Sequence, residues 1–197
     1  MTAGPALVEV LRSAQAAMVE ELGALVTCES PSSDLAATAR CADLVAELGR
    51  SHLGSAPDRL VVEGRTHLRW RLGPTPPAGR VLLVGHLDTV WPLGSLSTHP
   101  FTVEDGRATG PGCFDMKAGI VQLFHALGAL ADLADLETTG GVTVLLTSDE
   151  ELGSPTSRSL VEESAREAAA ALVCEPASGA GPGGPAGALK SARKGVS

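Results

Sequence analysis

The chain has 197 residues, of which 44% are hydrophobic and 19% are charged, and its formal net charge is −8. This composition is typical of a globular domain, and an acidic chain without a basic stripe argues against a nucleic-acid partner. No apolar run reaches the roughly 18 residues of a membrane-spanning helix, and the first residues lack the basic start of a signal peptide. We therefore expect a cytoplasmic protein that does not bind membranes.

The N-terminal third of the chain is predicted to be mainly helical. Apolar residues recur at three- and four-residue steps over residues 5–26, and a second helical pattern covers residues 34–48 and ends near Gly49. Strands are predicted at residues 59–63 and 67–72, because apolar and polar side chains alternate along the second of these segments.

Three short apolar runs follow, at residues 81–84, 142–146 and 171–173. Such runs are typical of strands that are covered on both faces. Helical patterns at 117–133 and 157–170 alternate with them, which predicts an α/β domain with a mixed, largely parallel sheet flanked by helices. Asp105-Gly106 predicts a hairpin within residues 101–109, and the Gly/Pro/Ala-rich segment 177–188 predicts a loop.

Residues that commonly bind metal ions come directly after each apolar run. His86 and Asp88 follow the first run, Glu150 and Glu151 follow the second, and Glu175 follows the third. Ligands of open parallel sheets bind at the carboxyl ends of the strands. We therefore expect these side chains to converge at one edge of the sheet.

Each of these residues also has an ordinary structural explanation. An isolated His-x-Asp pair is more often a hydrogen-bonded loop histidine, and Asp115, after two glycines and before a predicted helix, fits an N-cap. Glu150 and Glu151 fit a solvated pair, and Glu175 fits a charge that ends a strand. However, adjacent carboxylates repel one another unless a cation or a shared proton is present. Three such strand ends together favour a metal centre, with zinc as the first choice and manganese or cobalt as alternatives.

Four ordered motifs resemble those of one known family. GHLDTV at 85–90, GPGCFDMKAG at 110–119, SDEELGS at 148–154 and CEP at 174–176 are similar to motifs of the glutamate carboxypeptidase, aminoacylase and acetylornithine deacetylase family of dinuclear zinc metallopeptidases. The resemblance implies a three-layer sandwich in which residues 1–188 form the N-terminal part of a catalytic domain. It also implies that residues 189–197 begin a hinge strand into a lid or dimerisation domain, so that a homodimer is expected only for a full-length form.

The same resemblance implies a set of metal ligands. His86, Asp115 and Glu175 would hold one zinc ion, and Asp115 and Glu151 would hold the other. In the family the second ion receives a further histidine from later in the chain, and the remaining four histidines here match no ligand motif. We therefore expect weak binding of the second zinc, poor hydrolysis by this chain, and structural or surface roles for those four histidines.

Catalytic roles are also implied by the resemblance. Asp88 would orient the imidazole of His86, and Glu150 would be the general base that takes a proton from water and passes it to the leaving amine. A cis peptide bond is implied between Asp115 and Met116.

Three functions remain open at this stage. The favoured one is hydrolysis of a peptide or amide bond in a small substrate beside a C-terminal residue, with glutamate as one candidate, because Pro111 and Trp91-Pro92 resemble the carboxypeptidase branch of the family. The second is deacylation of N-acyl amino acids, and the third is a non-catalytic metal-binding domain. A nucleotide-binding fold is disfavoured, because no phosphate-binding glycine loop follows the first apolar run.

Overall fold

The protein folds as a mixed sheet with helices on both faces. Its structure is a computed structural model that describes residues 3–74, 79–133 and 141–176. The described helices are α1 (Ala3–Ser13), α2 (Gln15–Thr27), α3 (Leu35–Leu53), α4 (Ala118–Leu133) and α5 (Arg158–Arg166). The described strands are β1 (Asp58–Val62), β2 (Arg65–Leu72), β3 (Arg80–His86), β4 (Thr102–Glu104), β5 (Arg107–Thr109), β6 (Val142–Thr147) and β7 (Ala168–Val173).

The main sheet of the described residues has the strand order β1-β2-β6-β3-β7. Strands β3, β6 and β7 run parallel to one another, whereas β1 and β2 complete the sheet through antiparallel pairings. The predicted mixed sheet is confirmed. Because the three parallel strands are neighbours, their carboxyl ends lie at the same edge of the sheet.

Alternation along β2 separates the two faces of the sheet. Trp70 is buried and makes an edge-on contact with Phe124 of α4, with ring centroids 5.4 Å apart. Arg69 and Arg71 point to the opposite face, where both pair with Glu163 of α5. Helices therefore cover both faces, and the main core lies between the sheet and the layer formed by α2, α3 and α4.

The N-terminal helices differ in their bounds from the prediction. The helical pattern of residues 5–26 forms two helices that meet at Ala14. The next helix continues through Gly49 and ends four residues later, with Gly54 in the left-handed conformation as its C-cap. Gly49 therefore does not end the helix. It is buried against Trp70 and Phe124, whose rings a β-carbon at this position would meet at close range.

The prediction was also wrong at the junction between α5 and β7. The helix predicted for residues 157–170 ends at Arg166, and strand β7 begins two residues later. The alanines of this stretch favour a helix intrinsically, but they pair with β3 instead. Strand β7 was predicted to be covered on both faces, yet it is the edge strand of the described sheet and is largely exposed.

The predicted hairpin is confirmed as β4 and β5, which are joined by Asp105-Gly106 with positive φ at both residues. The predicted loop at 177–188 and the predicted hinge strand at 189–197 lie outside the described residues. None of the helices in the described ranges combines the length and the apolar character that crossing a bilayer requires.

A buried arginine joins three strands at the end of the sheet away from the metal-type residues. The guanidinium of Arg80, at the start of β3, donates to the carbonyl oxygens of Leu72 at 2.6 Å and Val142 at 2.9 Å. It also donates to Oγ1 of Thr143 at 2.9 Å. A planar group with several fixed donors suits this arrangement, whereas a lysine ammonium is a point charge on a flexible stem.

We expect Arg80→Lys to lower the free energy of unfolding by about 2 kcal/mol or more, because hydrogen bonds to buried carbonyl groups would be lost. Urea unfolding followed by tryptophan fluorescence measures this change. The control is Arg59→Lys, at a partly exposed arginine that pairs with Asp43 on the surface, and its effect should stay within about 0.5 kcal/mol. Equal effects of the two substitutions would contradict the structural role assigned to Arg80.

Candidate metal centre

The predicted site residues meet at one edge of the sheet. His86 is the last residue of β3, and the turn Glu150–Leu152 begins three residues after β6 ends. Glu175 follows the end of β7. Since β3, β6 and β7 are parallel neighbours, the sheet brings side chains from distant parts of the chain together.

His86 lies at the centre of this cluster. Its Nε2 is 3.1 Å from Oδ1 of Asp115, 3.9 Å from Oε2 of Glu150 and 4.0 Å from Oε1 of Glu175. The imidazole is 1% exposed, whereas the three carboxylates are between 42% and 56% exposed. One buried nitrogen therefore faces several carboxylates that line an open edge.

The ligand atoms form two groups that share His86. One group is His86, Asp115 and Glu151, and the other is His86, Glu150 and Glu175; within each group the possible ligand atoms lie within 4.8 Å of one another. All four predicted metal ligands are thus in the cluster. The geometry pairs Glu175 with Glu150, whereas the resemblance pairs Glu175 with Asp115, so the division of ligands between two ions stays a prediction.

Asp88 holds both His86 and the turn that carries the two glutamates. Its backbone carbonyl is 3.0 Å from Nδ1 of His86, and its carboxylate oxygen is 3.5 Å from the same nitrogen. The carboxylate accepts hydrogen bonds from Oγ of Ser32 at 2.6 Å and from the backbone N–H groups of Glu150 and Glu151 at 3.3 Å each. The ring of His86 is therefore oriented with Nε2 towards the cluster.

The turn Cys113–Lys117 presents Asp115. The peptide bond between Asp115 and Met116 is cis, as the resemblance implies. Met116 is buried, and its sulfur accepts a hydrogen bond from the backbone N–H of His86 at 3.1 Å. Lys117 is also buried, and its ammonium donates to the carbonyl oxygens of Leu25 at 2.8 Å and Cys28 at 2.9 Å. The turn is therefore fixed to both β3 and α2.

The local charge balance follows from this crowding. Burial raises the pKa of Glu150, and the charges of Glu175 and Asp88 raise it further, although His86 acts in the opposite direction. Burial likewise raises the pKa of Glu151. For His86, burial alone would lower the pKa, but hydrogen bonding and charge from Asp88 outweigh it and raise the pKa to about 9. The carboxylates thus favour a positive charge at the centre of the cluster.

Sequence reasoning missed the buried polar groups that hold the residues on either side of the Glu150–Leu152 turn. His67 is buried, and its Nδ1 accepts from the N–H of Ser148 while its Nε2 contacts Oγ1 of Thr156 at 3.0 Å. The carboxylate of Asp149 accepts from both the backbone N–H and the hydroxyl of Thr156 at 2.7 Å. These contacts fix the segment on either side of the Glu150–Leu152 turn. No local spacing could reveal them, because their partners are up to 89 residues apart.

The family model for peptidase family M20/M25/M40 matches residues 82–186, which is more than half of the chain. Carboxypeptidase G2 of Pseudomonas sp. strain RS-16 is 42% identical over 98 residues, which cover 50% of this chain and 23% of that protein. The succinyl-diaminopimelate desuccinylase of Corynebacterium glutamicum is 42% identical over 60 residues, or 30% of this chain and 15% of that protein.

Solved structures agree with the fold. Human carnosine dipeptidase 1 superposes with a TM-score of 0.71 at 23% identity, over 85% of this chain and 40% of that chain. A metallo-carboxypeptidase of the M20 family from Sulfolobus solfataricus gives a TM-score of 0.67 at 20% identity, over 83% of this chain and 37% of that chain. The chain thus spans less than half the length of each of these relatives. It belongs to peptidase family M20/M25/M40 and covers part of the catalytic domain.

Proposed function

We propose that the strand-end cluster holds two divalent metal ions and that the protein hydrolyses an amide bond in a small substrate. The observation that carries this proposal is the position of His86, whose Nε2 faces carboxylates from three other segments of the chain. Membership of a peptidase family supports hydrolysis. The described residues that would do the chemistry all lie at one accessible edge of the sheet.

The donor set fits a divalent transition metal. Nδ1 of His86 is held by the backbone of Asp88, so the ring offers its other nitrogen, and such an anchored histidine is the usual form of a metal-binding imidazole. Carboxylates that repel one another become favourable when a dication lies between them. We propose zinc, with His86, Asp115, Glu151 and Glu175 as ligands, and manganese or cobalt would accept the same nitrogen and oxygen donors.

Glu150 is the proposed general base. A bound metal ion of this kind lowers the pKa of water and polarises a carbonyl group. The side chain of Glu150 is 45% exposed and its Oε2 lies 3.9 Å from Nε2 of His86, so it is placed to accept a proton from the attacking water and to deliver that proton to the leaving amine. Asp88 keeps the Glu150 backbone in place through its carboxylate.

Carboxypeptidase activity is the proposed reaction, with a C-terminal glutamate as one candidate leaving residue. The identity of 42% over 98 residues to carboxypeptidase G2 supports this choice. The second candidate is deacylation of an N-acyl amino acid, which the identity of 42% over 60 residues to a desuccinylase favours. A panel of dipeptides and N-acyl amino acids, offered to the zinc-loaded chain, separates these two reactions.

We expect Glu150→Gln to lower the rate of hydrolysis by about 10²- to 10⁴-fold, because the amide cannot carry the proton, while the number of bound zinc ions stays the same. Glu104→Gln, in the exposed hairpin, is the control and should keep the parent rate. Loss of a zinc ion in Glu150→Gln would make Glu150 a ligand instead of a base. A zinc-loaded chain that hydrolyses no member of the panel would be a non-catalytic metal-binding domain.

A zinc titration of the strand-end cluster should show two unequal binding steps. Both ligand groups of the strand-end cluster depend on the single imidazole of His86, so one ion takes that nitrogen and the other receives mainly carboxylate oxygens. Calorimetry compares zinc binding by the parent with zinc binding by His86→Ala. Of the two strand-end binding steps, the tighter one should be absent from His86→Ala. Two strand-end ions of equal affinity would contradict this argument.

Asp88→Asn tests the support of the cluster. The amide would place an N–H₂ group or a single oxygen where the carboxylate now accepts from Ser32, Glu150 and Glu151. We expect zinc affinity to fall about 10- to 100-fold, which is the usual cost of removing a group that orients a ligand. Asp105→Asn, at the hairpin turn, is the matched control, and a similar loss of affinity in both variants would oppose the assignment.

A further inference from the structure

A second cluster of metal-type ligands lies in the helical layer. Glu21 belongs to α2, His52 to α3 and His125 to α4. Nε2 of His52 is 3.0 Å from Oε1 of Glu21, and Nε2 of His125 is 2.8 Å from Oε2 of the same carboxylate. The three possible ligand atoms lie within 4.8 Å of one another. This cluster shares no residue with the strand-end site.

Packing holds the two imidazole rings in place. Their centroids are 4.3 Å apart, and the ring of His52 also lies parallel to Phe124, with centroids 6.5 Å apart. Gly128, almost one turn after His125, allows His52 to approach α4, because a β-carbon there would stand only 3.2 Å from the His52 carbonyl oxygen. The side chains of Glu21, His52 and His125 are 24%, 19% and 8% exposed. The ligands are therefore largely shielded but reachable from solvent.

We propose that Glu21, His52 and His125 bind a divalent transition-metal ion, with zinc as the best fit. Two imidazole nitrogens and one carboxylate oxygen form a set of three protein ligands, and a water molecule completes the tetrahedron. Ligand atoms about 2.0–2.1 Å from zinc are about 3.3–3.5 Å from one another in a tetrahedral site. His52 and His125 now contact different oxygens of Glu21, at 3.0 Å and 2.8 Å, so a carboxylate that binds through one oxygen would turn to place that oxygen between the two nitrogens. The three ligand atoms already lie within 4.8 Å of one another, which leaves a shift of about an ångström to reach that spacing.

The ion would join α2, α3 and α4 at one point. These helices form the layer that covers the core face of the sheet, and Asp115 of the strand-end cluster lies three residues before α4 begins. A cation at this position also compensates the charge of Glu21, which is flanked in sequence by Glu20. Because its three ligands come from three different helices, the ion should raise the stability of the helical layer.

The decisive measurement is the number of zinc ions bound by the whole chain and its variants at low micromolar free zinc, by equilibrium dialysis and elemental analysis. We expect His125→Gln to bind one ion fewer than the parent. Glu21→Gln should also lose this ion, although its amide oxygen still accepts a hydrogen bond from one imidazole, which preserves part of the packing. The control is His99→Gln, which should bind as many ions as the parent. His99 is exposed, and among the described aromatic side chains its ring contacts only that of Trp91.

A second readout locates the ion directly. In the chain labelled with ¹⁵N-histidine, zinc should move the Nε2 signals of His52 and His125 to the position of metal-bound nitrogen. Each signal is assigned by its absence from the variant that lacks the residue, His52→Gln or His125→Gln. The same shift should persist in His86→Ala, where the strand-end site is impaired. The proposal is overturned if the zinc count is equal in the parent and both variants, or if the His52 and His125 signals do not respond to zinc. In either case the three residues form only a hydrogen-bonded triad.

Discussion

Electrostatic repulsion between carboxylates is the constraint around which the strand-end cluster is built. Asp88, Asp115, Glu150, Glu151 and Glu175 all lie near one buried imidazole. Burial raises the pKa of Glu150 and of Glu151, the neighbouring carboxylates raise both further, and Asp88 raises the pKa of His86. A proton on His86, whose pKa is raised to about 9, supplies positive charge to this cluster. Such an arrangement destabilises a fold unless another cation takes part, which supports the proposal that metal ions bind at this open sheet edge.

Hydrogen bonds of buried charged side chains hold the crowded carboxylates in position. Asp88 accepts three hydrogen bonds through its carboxylate, and Lys117 is bonded to two carbonyl groups near the end of α2. These buried charges carry no proposed step of hydrolysis. They fix the turns on which Asp115 and Glu150 stand, and preorganised ligands of this kind are what high metal affinity and catalysis both require.

Much of the site could be predicted from the sequence, because the ligands follow apolar runs and parallel strands bring their carboxyl ends together. His86, Glu150 and Glu175 were located in this way. The extent of α3 and the start of β7 could not be predicted, because packing against Trp70 and pairing with β3 override the local signals of Gly49 and of the alanine run. The hydrogen bonds that the Asp88 carboxylate accepts could not be predicted either, because Ser32 and Glu150 are 56 and 62 residues away in the sequence.

The two clusters show why one ligand set is visible in a sequence and another is not. The proposed strand-end ligands occur in short motifs, since a strand and its following turn place several of them within a few residues. Glu21, His52 and His125 come from the middle or end of three helices, and each has the appearance of an ordinary helical surface residue. Only the packing of α2, α3 and α4 brings them within 4.8 Å of one another. Sites formed between helices therefore have to be searched for in three dimensions, and the absence of a motif is no argument against them.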